Sequence, residues 1–265
     1  MRWAMRWWLA ACACLLGAAP LGAQTEQLCV GQIVPVALDG RVLGHIPYEQ
    51  ADPSELVSAP PGFAIGQPCL IQRDVAPDLA RLLAAAANTP GVGTALHGIS
   101  CYRSVEHQRA VFCNGIGPRK HARDAADRAR VVGPPGHSEH ATGYAIDFGV
   151  RPSPHCPDVD DCIAQTPAGR WLLAHATDYG FELSFPPGNA QGVTWEPWHW
   201  RWVGATVNAP GALRARLTLN RARIDFPASP RVNDTSDHWL RIITDPPPAA
   251  TPPISIAPLQ LPLRR

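Results

Sequence analysis

The sequence predicts an α+β fold: a small antiparallel sheet with flanking helices, stabilised by disulfides. Three observations predict it. Residues 144–148 and 198–202 alternate apolar and polar side chains with the period of a strand. Around them lie stretches of helical spacing, such as Leu79, Leu82 and Leu83. Of eight cysteines, Cys12 and Cys14 precede residue 24 and six follow it, enough for up to three disulfides.

In chain order, residues 1–23 come first. Arg2 and Arg6 precede an apolar run over 7–21, and Leu21-Gly22-Ala23 offers a small residue at a cut before Gln24. This is the pattern of a secretory signal peptide, with an apolar run too short for a membrane span. Its removal turns 23 basic and 22 acidic residues into 21 and 22, a net charge near −1. That balance gives no reason to expect nucleic acid or an anionic membrane as a partner. The expected product is exported, periplasmic or secreted, and monomeric. Export suits the cysteines, because an oxidising compartment lets them pair. Six allow many connectivities. Short separation favours Cys101–Cys113 and Cys156–Cys162, which leaves Cys29–Cys69. No two of the six have Cys-x-x-Cys spacing, which argues against a cysteine zinc site.

Residues 24–74 are rich in Pro and Gly and read as an irregular N-terminal segment, with 30–38 its best strand. The main domain is expected over 75–204. It opens with a helix at 75–87, stopped by Asn88-Thr89-Pro90-Gly91. A strand over 93–100 then delivers Arg103 to its end. Ser104 can cap a helix running to about Phe112, with Glu106, His107 and Gln108 in its first turns. A further helix is expected at 122–131, before the turn Pro134-Pro135-Gly136. Residues 151–166 form a Pro- and Asp-rich insertion, either a rim beside the site or a surface excursion. A helix at 167–179 has Pro in its first turn and Gly180 behind it. A strand at 181–185 follows. Residues 205–245 form a C-terminal extension whose alternation over 213–219 suggests one or two strands. From 246 to 265, seven of twenty residues are proline, the composition of a disordered or extended tail.

The chemistry concentrates in two short stretches. In Gly143-Tyr144-Ala145-Ile146-Asp147-Phe148, Tyr144, Ile146 and Phe148 would enter the core. The other face then carries Asp147 between residues with almost no side chain, leaving open space. His140, just ahead of the strand, could arch over that face. Imidazole plus carboxylate is a partial ligand set for zinc, which wants a third protein ligand and an open position for chemistry. His199 supplies a third, since it alternates with Trp198, Trp200 and Trp202. Pro197 breaks the alternation, so Glu196 can turn towards the same side.

The spacing Ser138-x-His140-x-x-Gly143-x-Ala145-x-Asp147, followed by Glu196-x-x-His199, resembles the paired signature of the zinc D-alanyl-D-alanine carboxypeptidases of the VanY type. Those enzymes share their fold with lysostaphin-like peptidases and the hedgehog signalling domain. Cys101-Tyr102-Arg103-Ser104-Val105-Glu106-His107-Gln108 resembles the family's Tyr-Arg-Ser-x-x-x-Gln segment, with Cys101 where the family often has a small residue. The resemblance covers about residues 70–204, and it implies zinc held by His140, Asp147 and His199. It implies Glu196 as the base that activates a metal-bound water, and Arg103, Gln108 and Ser138 as substrate contacts. Arg103 would either stabilise the oxyanion or bind the peptide's terminal carboxylate. The implied substrate is the D-Ala-D-Ala end of a peptidoglycan stem peptide. Two other readings stay open: an L,D-carboxypeptidase or peptidoglycan endopeptidase with the same metal set, and a wall-binding module in which zinc is only structural.

Overall fold

A computed structural model describes residues 24–233, so the expected signal peptide and Pro-rich tail lie outside the described residues. The chain begins with a hairpin of β1 (Thr25–Cys29) and β2 (Gln32–Pro35), and a second pair, β3 (Leu56–Ser58) and β4 (Leu70–Gln72), leads into helix α1 (Ala76–Ala87). Strand β5 (Leu96–Ser100), helices α2 (Val105–Asn114) and α3 (Ala125–Ala129), and strand β6 (Ala145–Val150) follow. Helix α4 (Pro167–His175), strands β7 (Phe181–Leu183) and β8 (His199–Trp202), and helices α5 (Ala212–Thr218) and α6 (Asn220–Asp225) complete the described chain.

The main sheet has the order β5-β6-β8-β7 with every pair antiparallel. Side-chain alternation along a strand sorts its two faces. Ile146 lies opposite Trp200, and both enter the core with Phe148 and Trp202. Asp147 lies opposite His199 on the other face. Leu79 and Leu82 of α1 and Leu172 of α4 cover the core side. Ser104 caps α2 by accepting from the His107 amide at 3.1 Å. Thr166 caps α4 through the Gly169 amide at 2.9 Å, and a tighter helical turn continues α4 to Tyr179 before Gly180.

Three local expectations change. The strand expected over 30–38 shortens to β2, the second arm of a hairpin that turns at Val30 and Gly31; Gly31 has φ +74°, a conformation glycine adopts without strain. The helix expected over 122–131 shortens to the five residues of α3. The alternation at 213–219 belongs to helix α5 and to Leu219, which joins it to α6. Leu213 and Leu217 are exposed, while Ala212, Ala215, Arg216 and Leu219 are buried, which is helical spacing. Ala212, Ala215 and Leu219 enter the same core as Phe63, Ile71 and the main sheet.

The disulfides also need correcting. Cys156–Cys162 forms as expected, but the others are Cys29–Cys113 and Cys69–Cys101. Cys113 lies in the last turn of helix α2, and the rise of about 12 Å from Val105 to Cys113 carries it away from Cys101, beyond the reach of a disulfide. Cys113 instead faces β1, and Cys101 lies beside β4, where the Tyr102 amide donates to Leu70 at 2.9 Å. By the loop-entropy argument, the Cys29–Cys113 closure over 84 residues stabilises by about 4–5 kcal/mol and the Cys156–Cys162 closure over 6 by about 2 kcal/mol. No described helix is long and apolar enough to cross a membrane.

Candidate metal centre

His140 rides on a single tight helical turn, Glu139–Thr142, that ends at Gly143 with φ +74°. Any side chain at 143 would be strained by that φ and would meet Leu56 at 2.8 Å, so the turn needs glycine. The turn hands the chain directly to β6, bringing His140 over Asp147. The cross-strand pairing of β6 with β8 places His199 against Asp147. The result is a buried set, His140, Asp147 and His199, whose potential ligand atoms all lie within 4.8 Å of one another.

The polar contacts orient each ligand. The Nδ1 of His140 lies 2.7 Å from the Cys101 carbonyl oxygen, so it carries the proton and donates. Its Nε2 is buried without a hydrogen-bond partner and faces Asp147 Oδ2 at 3.2 Å. Burial, and then the charge of Arg103, lower the His140 pKa to about 4, so near neutrality a lone pair faces a carboxylate. A cation between them resolves that conflict. Asp147 Oδ1 lies 2.9 Å from His199 Nδ1. Burial works to raise the Asp147 pKa, but the two imidazoles outweigh it and hold the carboxyl below its ordinary range. Two imidazoles and a carboxylate, one with an orphaned buried nitrogen, fit a divalent ion such as zinc.

His199 has a second carboxylate behind it. Its Nε2 donates to Glu139 Oε2 at 3.0 Å, which turns Nδ1 towards Asp147 and leaves Nδ1 as the atom that could hold a metal. Glu139 also accepts from Ser184 at 2.6 Å and from Arg201 at 2.9 Å. Burial alone would lower the His199 pKa, but its bonds to Asp147 and Glu139 raise it to about 10. That proton sits where a divalent cation would neutralise the same negative charge. Carboxylate–imidazole pairs of this kind fix a ligand's tautomer and ring orientation. Sequence reasoning missed Glu139 and Arg201. The signal was there in both cases: Glu139 lies inside the histidine motif, and Arg201 shares the strand face of His199 by alternation.

Glu196 approaches the ligands without joining them. Its Oε2 is 4.0 Å from His199 Nδ1. Burial raises its pKa to about 8, with His199 opposing the shift and Asp147 adding to it. Glu139, His140, Asp147, Glu196 and His199 line a cavity of about 650 Å³ together with Arg103, Ser138, Phe185 and Trp198. The Arg103 amide donates to the His140 carbonyl at 3.1 Å, tying the arginine loop to the metal turn. His137 lines the same cavity. Gln108 does not: it is buried in α2, and its side-chain amide donates to the Gly133 carbonyl at 2.6 Å.

The VanY family model, described as D-alanyl-D-alanine carboxypeptidase, matches residues 69–205. The putative carboxypeptidase YodJ of Bacillus subtilis (strain 168) is 33% identical over 162 residues, 58% of this chain and 55% of that protein. The bifunctional D-Ala-D-Ala dipeptidase and D-Ala-D-Ala carboxypeptidase VanXYC of Enterococcus gallinarum is 29% identical over 171 residues, covering 60% of this chain and 80% of that one. The aligned region of YodJ is thus about half its length. Among solved structures, the LdcB LD-carboxypeptidase superposes with a TM-score of 0.51 at 22% identity, over 75% of this chain and 89% of that chain. At that identity the likeness speaks for the fold alone.

Proposed function

The chain belongs to the VanY family of D-alanyl-D-alanine carboxypeptidases, and from that premise we propose that it is a zinc-dependent D,D-carboxypeptidase. Its substrate would be the D-Ala-D-Ala end of peptidoglycan stem peptides. The observation that carries this reading is the meeting of His140, Asp147 and His199 at one point, with Glu196 beside them and outside the ligand set.

His140, Asp147 and His199 would hold the ion. When bound, zinc supplies a Lewis acid for the scissile carbonyl, acidifies the attacking water and draws the Glu196 pKa down. Glu196 takes the proton of that water and delivers it to the leaving amine as the peptide bond breaks. Burial raises the Glu196 pKa above that of an ordinary carboxylate and a bound cation would lower it again, opposing influences that suit a group which takes a proton and gives it back. Arg103, facing the same cavity, donates to the oxyanion that develops on the carbonyl oxygen. Glu139 keeps His199 in the tautomer and orientation that leave Nδ1 free. Phe185, whose ring centroid is 4.8 Å from that of His199, and Trp198 limit water around the reacting groups. Export to a periplasmic or extracellular compartment is part of the proposal, and three disulfides suit it.

The test is incubation of the metal-loaded chain with a defined pentapeptide ending in D-Ala-D-Ala and with the corresponding tetrapeptide. Loss of one D-Ala from the pentapeptide, abolished by a chelator and restored by zinc, is the expected result. Release only from the tetrapeptide would replace the reading with L,D cleavage. Internal cuts would make the chain an endopeptidase, and metal binding without any cleavage would leave a structural zinc module.

A further inference from the structure

Two guanidinium groups face the cavity, and the proposed chemistry uses one. Arg103 lies in the loop between β5 and α2, and Arg128 lies on α3; both line the cavity. Neither makes an ion pair among the described residues, although other buried or half-buried arginines of this chain do. The Nε of each is buried without a hydrogen-bond partner. The Nη2 of Arg128 donates to the Val111 carbonyl at 3.1 Å, and its guanidinium packs across Gly115, where a Cβ would meet its Cζ at 2.4 Å. Arg128 is therefore held in place by neutral contacts while its charge is left uncompensated.

Two unpaired cations on one cavity wall repel each other and are costly to desolvate. The Arg128 pKa is lowered by burial and then by the charge of Arg103. An anionic ligand removes both costs. Arg103 is the nearer of the two to the reacting groups, since its backbone amide donates to the His140 carbonyl at 3.1 Å, whereas Arg128 reaches Val111 of α2. A carboxypeptidase substrate offers an oxyanion at the scissile carbonyl and a terminal carboxylate one residue further on. Val111, Val131 and Val132 line the wall around Arg128, an apolar surface suited to a methyl side chain.

We propose that Arg128 is the specificity residue that binds the substrate's terminal carboxylate, leaving Arg103 for the oxyanion. The assignment rests on the carboxypeptidase reading of the site. It explains why the enzyme would act at a chain end, because an end residue places its α-carboxylate one residue beyond the scissile carbonyl, where an internal residue has a neutral peptide bond.

The test uses the full chain, zinc-loaded and carrying Glu196→Gln so that peptide is bound and not cut. Calorimetry compares an N-acetylated peptide ending in D-Ala-D-Ala with the same peptide as its C-terminal carboxamide. The carboxylate form should bind at least about tenfold more tightly, the worth of one charged hydrogen-bonded contact. Adding Arg128→Met should erase that ratio and leave the carboxamide's affinity in place. Adding Arg128→Lys, which keeps the charge and gives up the two-pronged donor, should retain part of the ratio, so the assignment is readable even if the Met variant unfolds. A full ratio in Arg128→Met, or its loss in Arg103→Met instead, overturns the assignment, as does a chain that binds neither peptide. D-Ala release by the chain with Glu196 intact is measured alongside. No release, together with an Arg128-dependent ratio, would overturn the hydrolytic reading and leave the carboxylate site standing.

Discussion

Two neighbouring regions on one face of the main sheet use the same residue types for opposite ends. At Asp147 and His199 the face opens on a cavity, where His140 Nε2, Arg103 Nε and Arg128 Nε are buried and lack partners. Two residues along β8, Arg201 is fully buried and bonds Glu139 and Glu182, each at 2.9 Å. Arg223 reaches the same Glu182 at 3.0 Å. Only the Nη2 of Arg201 lacks a partner there. Charge is abundant in both regions. What distinguishes the site is that its two guanidinium groups, Arg103 and Arg128, make no ion pair among the described residues whereas Arg201 makes two, so they remain available to a ligand.

The largest effects should come from the open region. His140→Ala should lose both bound metal and activity, whereas Glu196→Ala should keep the metal and lose turnover by about 100- to 10,000-fold. Metal content after dialysis and D-Ala release together separate the two. Turnover retained in Glu196→Ala would remove the assigned base.

The closed region should answer in stability. Arg201→Met takes a fully buried cation from both Glu139 and Glu182, leaving them His199 and Arg223 respectively, and should cost about 3–5 kcal/mol in urea unfolding. Arg103→Met, which breaks no ion pair, should leave the unfolding midpoint close to its original value. Equal losses in the two variants would erase the distinction between the regions.

The smallest effect is a pH dependence. Burial works to raise the Glu182 pKa, but Arg201 and Arg223 outweigh it and hold it below the ordinary 4.5. A carboxylate with a depressed folded-state pKa stabilises the fold above 4.5, and that contribution fades as pH falls below 4.5 towards the folded-state value. Glu182→Gln should therefore be less stable near neutrality and should lose less further stability between neutrality and strong acid. Melting temperatures across that range check it. An unchanged acid limb would mean that the pair does not set it.

Much of the site was legible from residue order, and the reason is local. His140, Gly143 and Asp147 are close in sequence, so one tight turn and one strand suffice to bring them together. Glu196 and His199 straddle Pro197 in the same way. Gln108 shows where such reasoning stops. Its motif position marks it as a substrate contact, yet its side-chain amide is spent on the Gly133 carbonyl, 25 residues away in sequence.

By itself the sequence determined that His140 stands beside Asp147 and Glu196 beside His199, the two strands that carry Asp147 and His199, and the Ser104 cap, because side-chain period and short spacing act within a few residues. Tertiary structure decided which cysteines meet, that residues 212–225 coil into helices, that Glu139 and Arg201 stand behind His199, and that Arg128 shares a cavity with Arg103. Each of those depends on which distant segments pack together. Packing of that kind is chosen by the burial of whole faces, and no local spacing records it.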